Sequence, residues 1–334
     1  MNILVTGGCG FIGSHLIRHL IDQPDVNKVV NLDCLTYAGN LTNTADFKDH
    51  PRYQFHRVDL RDKAQVLSLV IKEEITHVFH LAAESHVDRS ISGPLAFIDT
   101  NVVGTANLLE ACRAQWNTYS KHLFIHVSTD EVFGSLEQGM APFHEESPYR
   151  PNSPYAASKA ASDMLVRSYC RTYGFPAIIT NCSNNYGPYQ YPEKLIPVVI
   201  QCLIEKRKIP LYGLGLNSRD WIHVLDHVAA LWLLLCEGKA GESYCIGTGV
   251  STVNIWIINK LCDWFDDGPP WEHKSRSLIT MVPDRLGHDL SYQVDASKIQ
   301  RLGWSPAVPL AKGLRSTLGW YLDHQDWVKP RTRS

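Results

Sequence analysis

The chain has 334 residues, of which 44% are hydrophobic, and its formal net charge is -2 at pH 7. This length allows one large domain or two interlocked ones, and the hydrophobic share can fill a substantial core. The small net charge and the absence of a basic run exclude a general electrostatic attraction to nucleic acid or to anionic membranes.

The nine cysteines are dispersed along the chain, without CxxC pairs and without metal-type clustering with histidine. Such a distribution favours buried thiols in a reducing compartment, and no metal site is predicted. The sequence begins directly with strand-like residues, and its longest apolar stretch, near 229–236, is too short to span a bilayer. We therefore expect a cytoplasmic protein.

Short β-branched runs alternate with helical patterns through the first half of the chain. The predicted strands are 2–6, 28–32, 53–58, 77–81, 123–127 and 177–180, and the predicted helices are 12–21, 63–71, 95–114 and 156–173. Strict β/α alternation indicates a parallel sheet covered by helices on both faces. The predicted fold class is therefore α/β, with a doubly wound parallel Rossmann sheet.

The regular alternation ends near residue 181, where proline- and tyrosine-rich loops such as 185–192 begin, and further helices are predicted at 253–265 and 310–322. We interpret 182–220 and 248–334 as a smaller mixed α/β lobe that covers the sheet ends and binds the substrate. Residues 1–181 then form the Rossmann domain. A strand-helix-strand pattern indicates that about 221–247 rejoins it.

A glycine-rich loop, Gly7-Gly8-Cys9-Gly10-Phe11-Ile12-Gly13, connects the first strand to the first helix. Glycines let the backbone approach a pyrophosphate, and the helix N-terminus faces the phosphate charge. Three glycines also occur in ordinary turns. However, Asp33 ends the second strand, 20 positions after Gly13, where an acid can bind the adenosine ribose. The residues directly after Asp33, Cys34 to Thr36, include no arginine that could pair with a 2′-phosphate, which favours NAD over NADP.

Tyr155 and Lys159 are four residues apart on a predicted helix, so their side chains are neighbours. We expect the ammonium to lower the pKa of the phenol and to bind the nicotinamide ribose. A phenolate can then take the proton of a sugar hydroxyl as hydride leaves. Such pairs occur by chance in many helices, but together with the glycine loop this one indicates alcohol oxidation by NAD.

The apolar strand at 123–127 is followed by a hydroxyl and two carboxylates, Thr129, Asp130 and Glu131. A solvated turn is the simplest interpretation. Yet oxidation of a hydroxyl to a ketone makes the adjacent C–H acidic, so that one carboxylate could remove this proton while a second acid expels a β-hydroxyl as water. In an ideal strand Asp130 points away from the other two, so all three converge only if the strand ends here.

Five segments, 7–13, 81–90, 128–134, 155–159 and 184–197, resemble those of the dTDP-glucose 4,6-dehydratases, which are extended short-chain dehydrogenases/reductases. The resemblance covers almost the whole chain. Epimerases and decarboxylases share the glycine loop and the Tyr-Lys pair, whereas Thr-Asp-Glu is more specific to 4,6-dehydratases. The resemblance implies an NAD-dependent hydro-lyase of deoxysugar biosynthesis that makes a 4-keto-6-deoxy sugar nucleotide.

The resemblance also implies a role for each catalytic residue. Tyr155, assisted by Thr129 and Lys159, is the base for the C4 hydroxyl. Glu131 takes the C5 proton, Asp130 protonates the departing C6 hydroxyl, and hydride returns to C6. NAD is regenerated in each turnover and is expected to stay tightly bound, and a homodimer is expected through the helices at 95–114 and 156–173.

Further contacts carry over by the same matching. The expected cofactor contacts are Gly7, Gly10, Phe11, Ile12, Gly13, Asp33, Cys34, Leu35, Thr36, Asp59, Leu60, Leu81, Ala82, Ala83, Ser85, Thr100, Tyr155, Lys159 and Asn185. The expected substrate contacts are Ser85, Thr129, Asn184, Lys194, Leu195, Pro210, Tyr212, Arg219, Asn254, Asp284, Arg285 and His288. Without the resemblance, the two arginines would be assigned to surface ion pairs, and Asp59 could equally cap a helix ahead of Asp62.

The chain departs from the family pattern at Cys34, at 247–253, at Leu286, and at Leu290 with Ser291. None of these positions is catalytic, so the reaction type is better defined than the nucleotide, and UDP-glucose is an alternative substrate. A sugar-nucleotide 4-epimerase is a second possibility, although it gives the two acids no role. A non-catalytic NAD-binding protein is a third, and the intact set of five catalytic residues argues against it.

Overall fold

The computed structural model describes residues 1–137, 139–268, 274–284 and 288–328. The strands are β1 Asn2–Thr6, β2 Lys28–Asp33, β3 Tyr53–Arg57, β4 His77–His80, β5 Leu123–Thr129, β6 Ala177–Cys182, β7 Asn184–Tyr186, β8 Ile209–Tyr212, β9 Ser218–His223, β10 Ser243–Ile246, β11 Ser251–Val253 and β12 Ile279–Val282. The α-helices are α1 Phe11–Ile21, α2 Lys63–Lys72, α3 Val87–Ser92, α4 Pro94–Phe97, α5 Gly104–Gln115, α6 Pro154–Tyr173, α7 Leu195–Ile204, α8 Val224–Glu237, α9 Asn254–Asp266, α10 Ser297–Gln300, α11 Leu310–Asp323 and α12 Gln325–Val328.

The central sheet has seven parallel strands in the order β10-β6-β5-β4-β1-β2-β3. From β1 the chain builds outward through β2 to β3, and it then returns to β4 and continues to the other edge. The strand order therefore reverses between β1 and β4, where open α/β sheets form a ligand crevice at the carboxyl ends of their strands. The predicted doubly wound Rossmann sheet is confirmed.

Helices cover both faces of this sheet, which explains why the residues of its inner strands β1, β5 and β6 are almost all buried instead of alternating with exposed ones. In β1, Ile3 and Val5 belong to the core beneath α1 and α8, whereas Leu4 belongs to the core beneath α2, α5 and α6. All three side chains are fully buried. None of the helices in the described ranges is long and apolar enough to cross a bilayer.

The predicted helix at 95–114 is not one regular helix. A π-helical stretch, Ile98–Val103, joins α4 to α5. It holds the buried side chain of Asn101, which accepts a hydrogen bond from the Glu84 amide at 2.9 Å and donates to the Ser158 hydroxyl at 2.9 Å. Through these two hydrogen bonds, Asn101 ties the loop after β4 to α6 near the sheet ends. Short π-helical stretches of this kind are frequently found at functional sites.

The second half of the chain forms a separate core from α7, α9 and α11. This half also contains a three-stranded sheet, in which β9 pairs with β7 and β11, and a two-stranded sheet formed by β8 and β12. The segment 221–247 is divided between the two parts. Its first residues, Trp221 to His223, lie in the three-stranded sheet, whereas α8 packs against α1 and β10 extends the central sheet beside β6.

Candidate active site

A cavity of about 530 Å³ lies at the carboxyl ends of the central strands, between the sheet and the smaller lobe. Its walls come from the glycine loop, from the ends of β2, β4 and β5, from the first turns of α6, and from the lobe strands β7 and β9. Motifs that are far apart in the sequence therefore meet in one place.

The cavity contains most of the residues that the sequence predicted as contacts. The predicted cofactor contacts that line it are Gly7, Gly10, Phe11, Ile12, Gly13, Asp33, Cys34, Thr36, Asp59, Leu60, Leu81, Ala82, Ala83, Ser85, Thr100, Tyr155, Lys159 and Asn185. The predicted substrate contacts that line it are Ser85, Thr129, Asn184, Lys194, Leu195, Pro210, Tyr212, Arg219, Asn254 and His288. Leu35 and Asp284 do not line it, and Arg285 lies outside the described residues.

The glycine loop lies too close to neighbouring backbone for side chains to fit. Gly7 has a φ of +74°, and a Cβ there would lie 2.9 Å from the Cα of Ala82. A Cβ at Gly13 would overlap the carbonyl oxygen of Gly7. Helix α1 begins directly after Gly10, whose position provides no capping side chain. Its first N–H groups border the cavity, so the loop fits the pyrophosphate of a dinucleotide.

Asp33 is fixed by two backbone amides at the edge of the cavity. Its carboxylate oxygens accept hydrogen bonds from Leu35 N at 2.8 Å and from Cys9 N at 3.0 Å. Burial raises the pKa of Asp33, and these two hydrogen bonds lower it. Each carboxylate oxygen has a further lone pair, so the group can still accept hydrogen bonds from the hydroxyls of a ribose.

Asp59 is not the cap of α2. Asp62 has that position, and its carboxylate accepts a hydrogen bond from Gln65 N at 3.0 Å. Asp59 instead forms an ion pair with Arg61 at 2.6 Å, and both residues line the cavity. Arg61 was not among the predicted cavity residues, because an arginine near the adenosine ribose was expected only directly after Asp33.

Strand β5 ends at Thr129, and residues Asp130–Phe133 form a 3-10 turn. The Thr129 hydroxyl accepts a hydrogen bond from Glu131 N at 3.2 Å and donates one to the Asp130 carboxyl at 3.3 Å. Because the strand stops here, all three side chains reach the cavity, as the dehydratase interpretation requires.

Asp130 is almost completely buried, at 1% exposure. Burial raises its pKa well above the ordinary value for aspartate, and the negative charges of Glu131 and Asp220 raise it further, against the opposing charge of Arg219. These effects favour the protonated carboxyl. The two adjacent acids are therefore in unequal environments, and Asp130 is suited to donate a proton.

Helix α6 places the Tyr-Lys pair at the cavity. Ser153 caps the helix by accepting a hydrogen bond from Ala156 N at 3.1 Å, and Pro154 occupies its first turn. Tyr155 follows directly. One turn later, the ammonium of Lys159 donates a hydrogen bond to the carbonyl of Val127 at 2.9 Å.

The pKa of Tyr155 is raised in this structure, so the expected effect of Lys159 does not decide its direction. Burial raises the pKa of Tyr155 well above the ordinary value, and negative charge on Glu131, or on Cys182 and Asp130 when they are ionised, raises it further, whereas a hydrogen bond with Thr129 lowers it. Burial also lowers the pKa of Lys159. Desolvation and the neighbouring acids, neither of which appears in a helical spacing, decide the direction.

The lobe wall carries Arg219 on β9. Its guanidinium donates hydrogen bonds to the carbonyls of Ser218 at 2.7 Å and Asp289 at 3.0 Å, and it lies 4.4 Å from the centre of the Tyr292 ring. Across the cavity, the ammonium of Lys194 donates to the carbonyl of Ser85 at 2.8 Å, which joins the lobe to the loop after β4.

Comparisons with known proteins identify the family. A family model described as GDP-mannose 4,6 dehydratase matches residues 4–317. The chain belongs to this family. The dTDP-glucose 4,6-dehydratase of Shigella flexneri is 49% identical over 343 residues, which cover 98% of this chain and 95% of the relative. The sequence-based assignment to nucleotide-sugar 4,6-dehydratases is therefore confirmed.

Two solved structures are similar to this member of the GDP-mannose 4,6 dehydratase family over nearly their whole length. DesIV, a dTDP-glucose 4,6-dehydratase from Streptomyces venezuelae solved with NAD bound, has a TM-score of 0.92 at 44% identity, and 99% of each chain is covered. The dTDP-glucose 4,6-dehydratase of Bacillus anthracis in complex with NAD has a TM-score of 0.87 at 40% identity, and 98% of each chain is covered.

Several residues that line the cavity were missed by the sequence analysis of this dehydratase family member. Cys182 ends β6, and the rule that ligands bind at carboxyl strand ends could have found it. Trp221 lies in β9, and Tyr292 follows an irregular segment of the lobe. No local pattern marks Trp221 or Tyr292, because their position depends on how the lobe packs over the sheet.

Proposed function

We propose that this protein is a dTDP-glucose 4,6-dehydratase, an NAD-dependent hydro-lyase that converts dTDP-glucose into dTDP-4-keto-6-deoxyglucose. One observation carries the proposal: Thr129, Asp130 and Glu131 meet Tyr155 and Lys159 in one cavity. The names of the similar full-length relatives support the substrate, and the NAD-bound structures of similar proteins support the cofactor. The glycine loop and Asp33 would hold the dinucleotide.

Oxidation at C4 is assigned to Tyr155, which accepts the proton of the C4 hydroxyl. NAD, when bound, supplies the acceptor of the C4 hydride and later the donor of hydride to C6. The protonated state of Asp130 assists Tyr155, because it removes one of the negative charges that raise the pKa of the phenol. The hydrogen bond with Thr129 lowers this pKa as well.

Elimination of water is assigned to the two acids. Glu131 removes the C5 proton, which the new C4 ketone has made acidic, and Asp130 donates a proton to the C6 oxygen as the C6–O bond breaks. Water leaves and a C5=C6 double bond forms. When hydride reaches C6, Glu131 returns a proton to C5 and is restored. Tyr155 has gained the proton of the C4 hydroxyl and Asp130 has lost one to the leaving water, so release of a proton from Tyr155 and uptake of one by Asp130 restore the enzyme with no net change in protons.

A sugar-nucleotide 4-epimerase would use Tyr155 and Lys159 but would leave Asp130 and Glu131 without a task. The burial that favours a protonated Asp130 has no use in such a reaction, so the dehydratase is the better assignment. UDP-glucose remains the alternative substrate, because the departures from the family pattern at Leu290 and Ser291 fall in the lobe expected to bind the nucleotide and not on the catalytic residues.

Proton NMR of the purified protein, incubated without added NAD and separately with dTDP-glucose and UDP-glucose, tests the proposal. We expect a new 6-methyl doublet and a 4-keto or hydrate signal, formed faster from dTDP-glucose. A galactose product would identify an epimerase. A faster reaction with UDP-glucose would show that the substrate carries UDP and not dTDP. Activity of protein shown to be free of NAD would contradict the proposal that NAD is the tightly bound cofactor.

We further propose a cytoplasmic homodimer that associates through the helical segments at 95–114 and 156–173. Leu95 is 75% exposed and Met164 is 45% exposed, which is unusual for large apolar side chains in these helices. Sedimentation at micromolar concentration should give a dimer, and a stable monomer would contradict this assembly. All nine cysteines are free thiols, which is typical of a reducing compartment.

A further inference from the structure

Asp163 is a buried carboxylate with no part in the reaction proposed above. It lies on α6 four residues after Lys159 and eight after Tyr155, so the three side chains follow one another along one side of the helix. Its exposure is 0%. A carboxylate in this position is costly unless it is hydrogen-bonded and its charge is balanced.

The hydrogen bonds of Asp163 come from three other parts of the fold. Its Oδ2 accepts from the Ser128 hydroxyl at 2.9 Å, from the Tyr149 hydroxyl at 2.9 Å and from Asn181 Nδ2 at 3.2 Å. Its Oδ1 lies 3.1 Å from Nε2 of the buried His126 on β5. Asn181 Nδ2 also lies 3.3 Å from the carbonyl oxygen of Thr129, to which it donates. Asp163 thereby connects the helix that carries Tyr155 to the end of the strand that carries the acids.

The contacts of Lys159 bring it to the same strand end. Its exposure is only 5%, and its ammonium donates to the carbonyl of Val127, the residue before Ser128. Lys159 and Asp163 therefore hold consecutive residues of β5, one through a carbonyl and the other through a hydroxyl. A change in either side chain would be transmitted to Thr129 and Asp130, which follow directly.

Asp163 lies one helical turn after Lys159 and is likewise buried, and it is the carboxylate whose charge favours the ammonium of Lys159. The titratable groups that act on it or are acted on by it are Asp163 on α6, Cys182 on β6, His126 on β5 and His80 on β4. Burial lowers the pKa of both histidines and raises that of Cys182 to about 12, so these three groups are neutral near neutral pH. Burial lowers the pKa of Lys159, and the charge of Asp163 raises it.

We propose that Asp163 is a positioning residue of the active site: its carboxylate keeps the buried Lys159 cationic and fixes α6 against the end of β5. The side chain acts through Lys159 and Ser128. It therefore sets the electrostatic environment of Tyr155 without touching the substrate.

The kinetic test compares Asp163→Asn with Tyr149→Phe in the NAD-bound enzyme, and it rests on the proposed dehydratase function. Asp163→Asn removes the charge, whereas Tyr149→Phe removes one hydrogen bond to the same carboxylate and leaves the charge in place. We expect Asp163→Asn to lower kcat by roughly tenfold to a hundredfold with KM unchanged, which is at most the lower limit of what general base catalysis contributes, because Asp163 acts only through other residues. In the variant, the alkaline limb of the plot of kcat against pH should move to lower pH, because Lys159 without the negative charge of Asp163 loses its proton at lower pH.

Tyr149→Phe should keep the pH profile of the wild type. Equal pH profiles for Asp163→Asn and the wild type would overturn the proposal. So would a shift of the same size in Tyr149→Phe, because the effect would then come from the hydrogen-bond network and not from the charge.

A second readout does not depend on turnover. In protein carrying isotope-labelled lysine, the side-chain NMR signal of Lys159, assigned with Lys159→Met, should titrate at lower pH in Asp163→Asn than in the wild type or Tyr149→Phe. This result separates the two proposals, because it can be obtained even if dTDP-glucose is not the substrate. An unchanged titration of Lys159 would overturn the role of Asp163.

A combined variant covers the case in which Asp163→Asn does not fold. If the defect is an uncompensated ammonium, adding Lys159→Met to Asp163→Asn should restore a cooperative urea transition. If the double variant is as unstable as Asp163→Asn, the carboxylate serves packing and hydrogen bonding alone, and the proposal fails.

Discussion

The two walls of the cavity differ in how completely the protein satisfies their polar groups. On the sheet wall, Asp33, Thr129 and Lys159 are held by hydrogen bonds to the protein itself. On the lobe wall, Arg219 and Lys194 are likewise held by backbone carbonyls, but buried oxygens of Asn184 and Asn254 have no hydrogen-bond partner among the described residues. On the sheet wall a corresponding exception is Oδ2 of Asp130. Apart from Asp130, the sheet wall is thus arranged before a ligand arrives, whereas the two asparagine oxygens of the lobe wall leave polar atoms for the ligand to satisfy.

From this difference we expect the sheet wall to serve catalysis and the lobe wall to serve substrate binding. Groups that are already fixed can stabilise a transition state without reorganising, so changes on the sheet wall should act mainly on kcat. Groups that wait for a partner contribute to binding in both the ground state and the transition state, so changes on the lobe wall should act mainly on KM. The following substitutions test these expectations.

The largest effect is expected from Glu131→Gln on the sheet wall. Loss of the base should reduce formation of the 6-methyl product by about 10²- to 10⁴-fold while C4 oxidation persists. The measurement is product NMR together with the near-ultraviolet absorbance of the reduced nicotinamide. Glu137→Gln, an exposed residue outside the cavity, is the matched control and should behave like the wild type. A fully active Glu131→Gln enzyme would contradict the elimination mechanism.

A smaller effect is expected from Arg219→Lys on the lobe wall, where the guanidinium is already held by backbone carbonyls but is a predicted substrate contact. Lysine keeps the charge that acts on Asp130 but loses the planar fork, so KM for the sugar nucleotide should rise about tenfold with little change in kcat. Arg207→Lys, in which the replaced guanidinium is exposed and paired with Glu205, should leave both constants unchanged. Steady-state kinetics measure both constants, and a fall in kcat at constant KM would contradict the expectation that the lobe wall acts mainly on substrate binding.

The smallest effect is expected on stability, from Asp130→Asn. The pKa of Asp130 is raised in the folded state, so the wild type loses stability as pH rises from the unfolded value of about 3.9 through the folded one. The amide has no such loss. Asp130→Asn should therefore be more stable at neutral pH by about 0.5–2 kcal/mol, and the gain should vanish at pH values below about 3.9.

Urea unfolding at neutral and acidic pH measures this difference. The surface variant Asp49→Asn should show no gain at either pH, since its carboxylate is 90% exposed. A neutral-pH stability of Asp130→Asn below that of the wild type would mean that the buried carboxyl stabilises the fold, and the argument that its burial is unfavourable when it is ionised would be withdrawn.

Much of the fold followed from the sequence because its signals are local. Alternating strand and helix patterns predicted the doubly wound sheet, and every strand predicted in the first half was found, although β5 and β6 continue two residues beyond the predicted ends. The glycine loop, the Tyr-Lys spacing and Thr-Asp-Glu each occupy a few consecutive residues. Short segments of this kind carry their chemistry in their own residue types, so they could be recognised before the fold was known.

The tertiary structure alone decided how these segments act on one another. The raised pKa of Tyr155, the protonation of Asp130, and the hydrogen bonds of Asp163 all arise from groups far apart in the chain. So does the contact between Arg219 and Tyr292 across the lobe. Desolvation and Coulomb interactions depend on distances in space, and a sequence pattern contains those distances only within one strand or one helix.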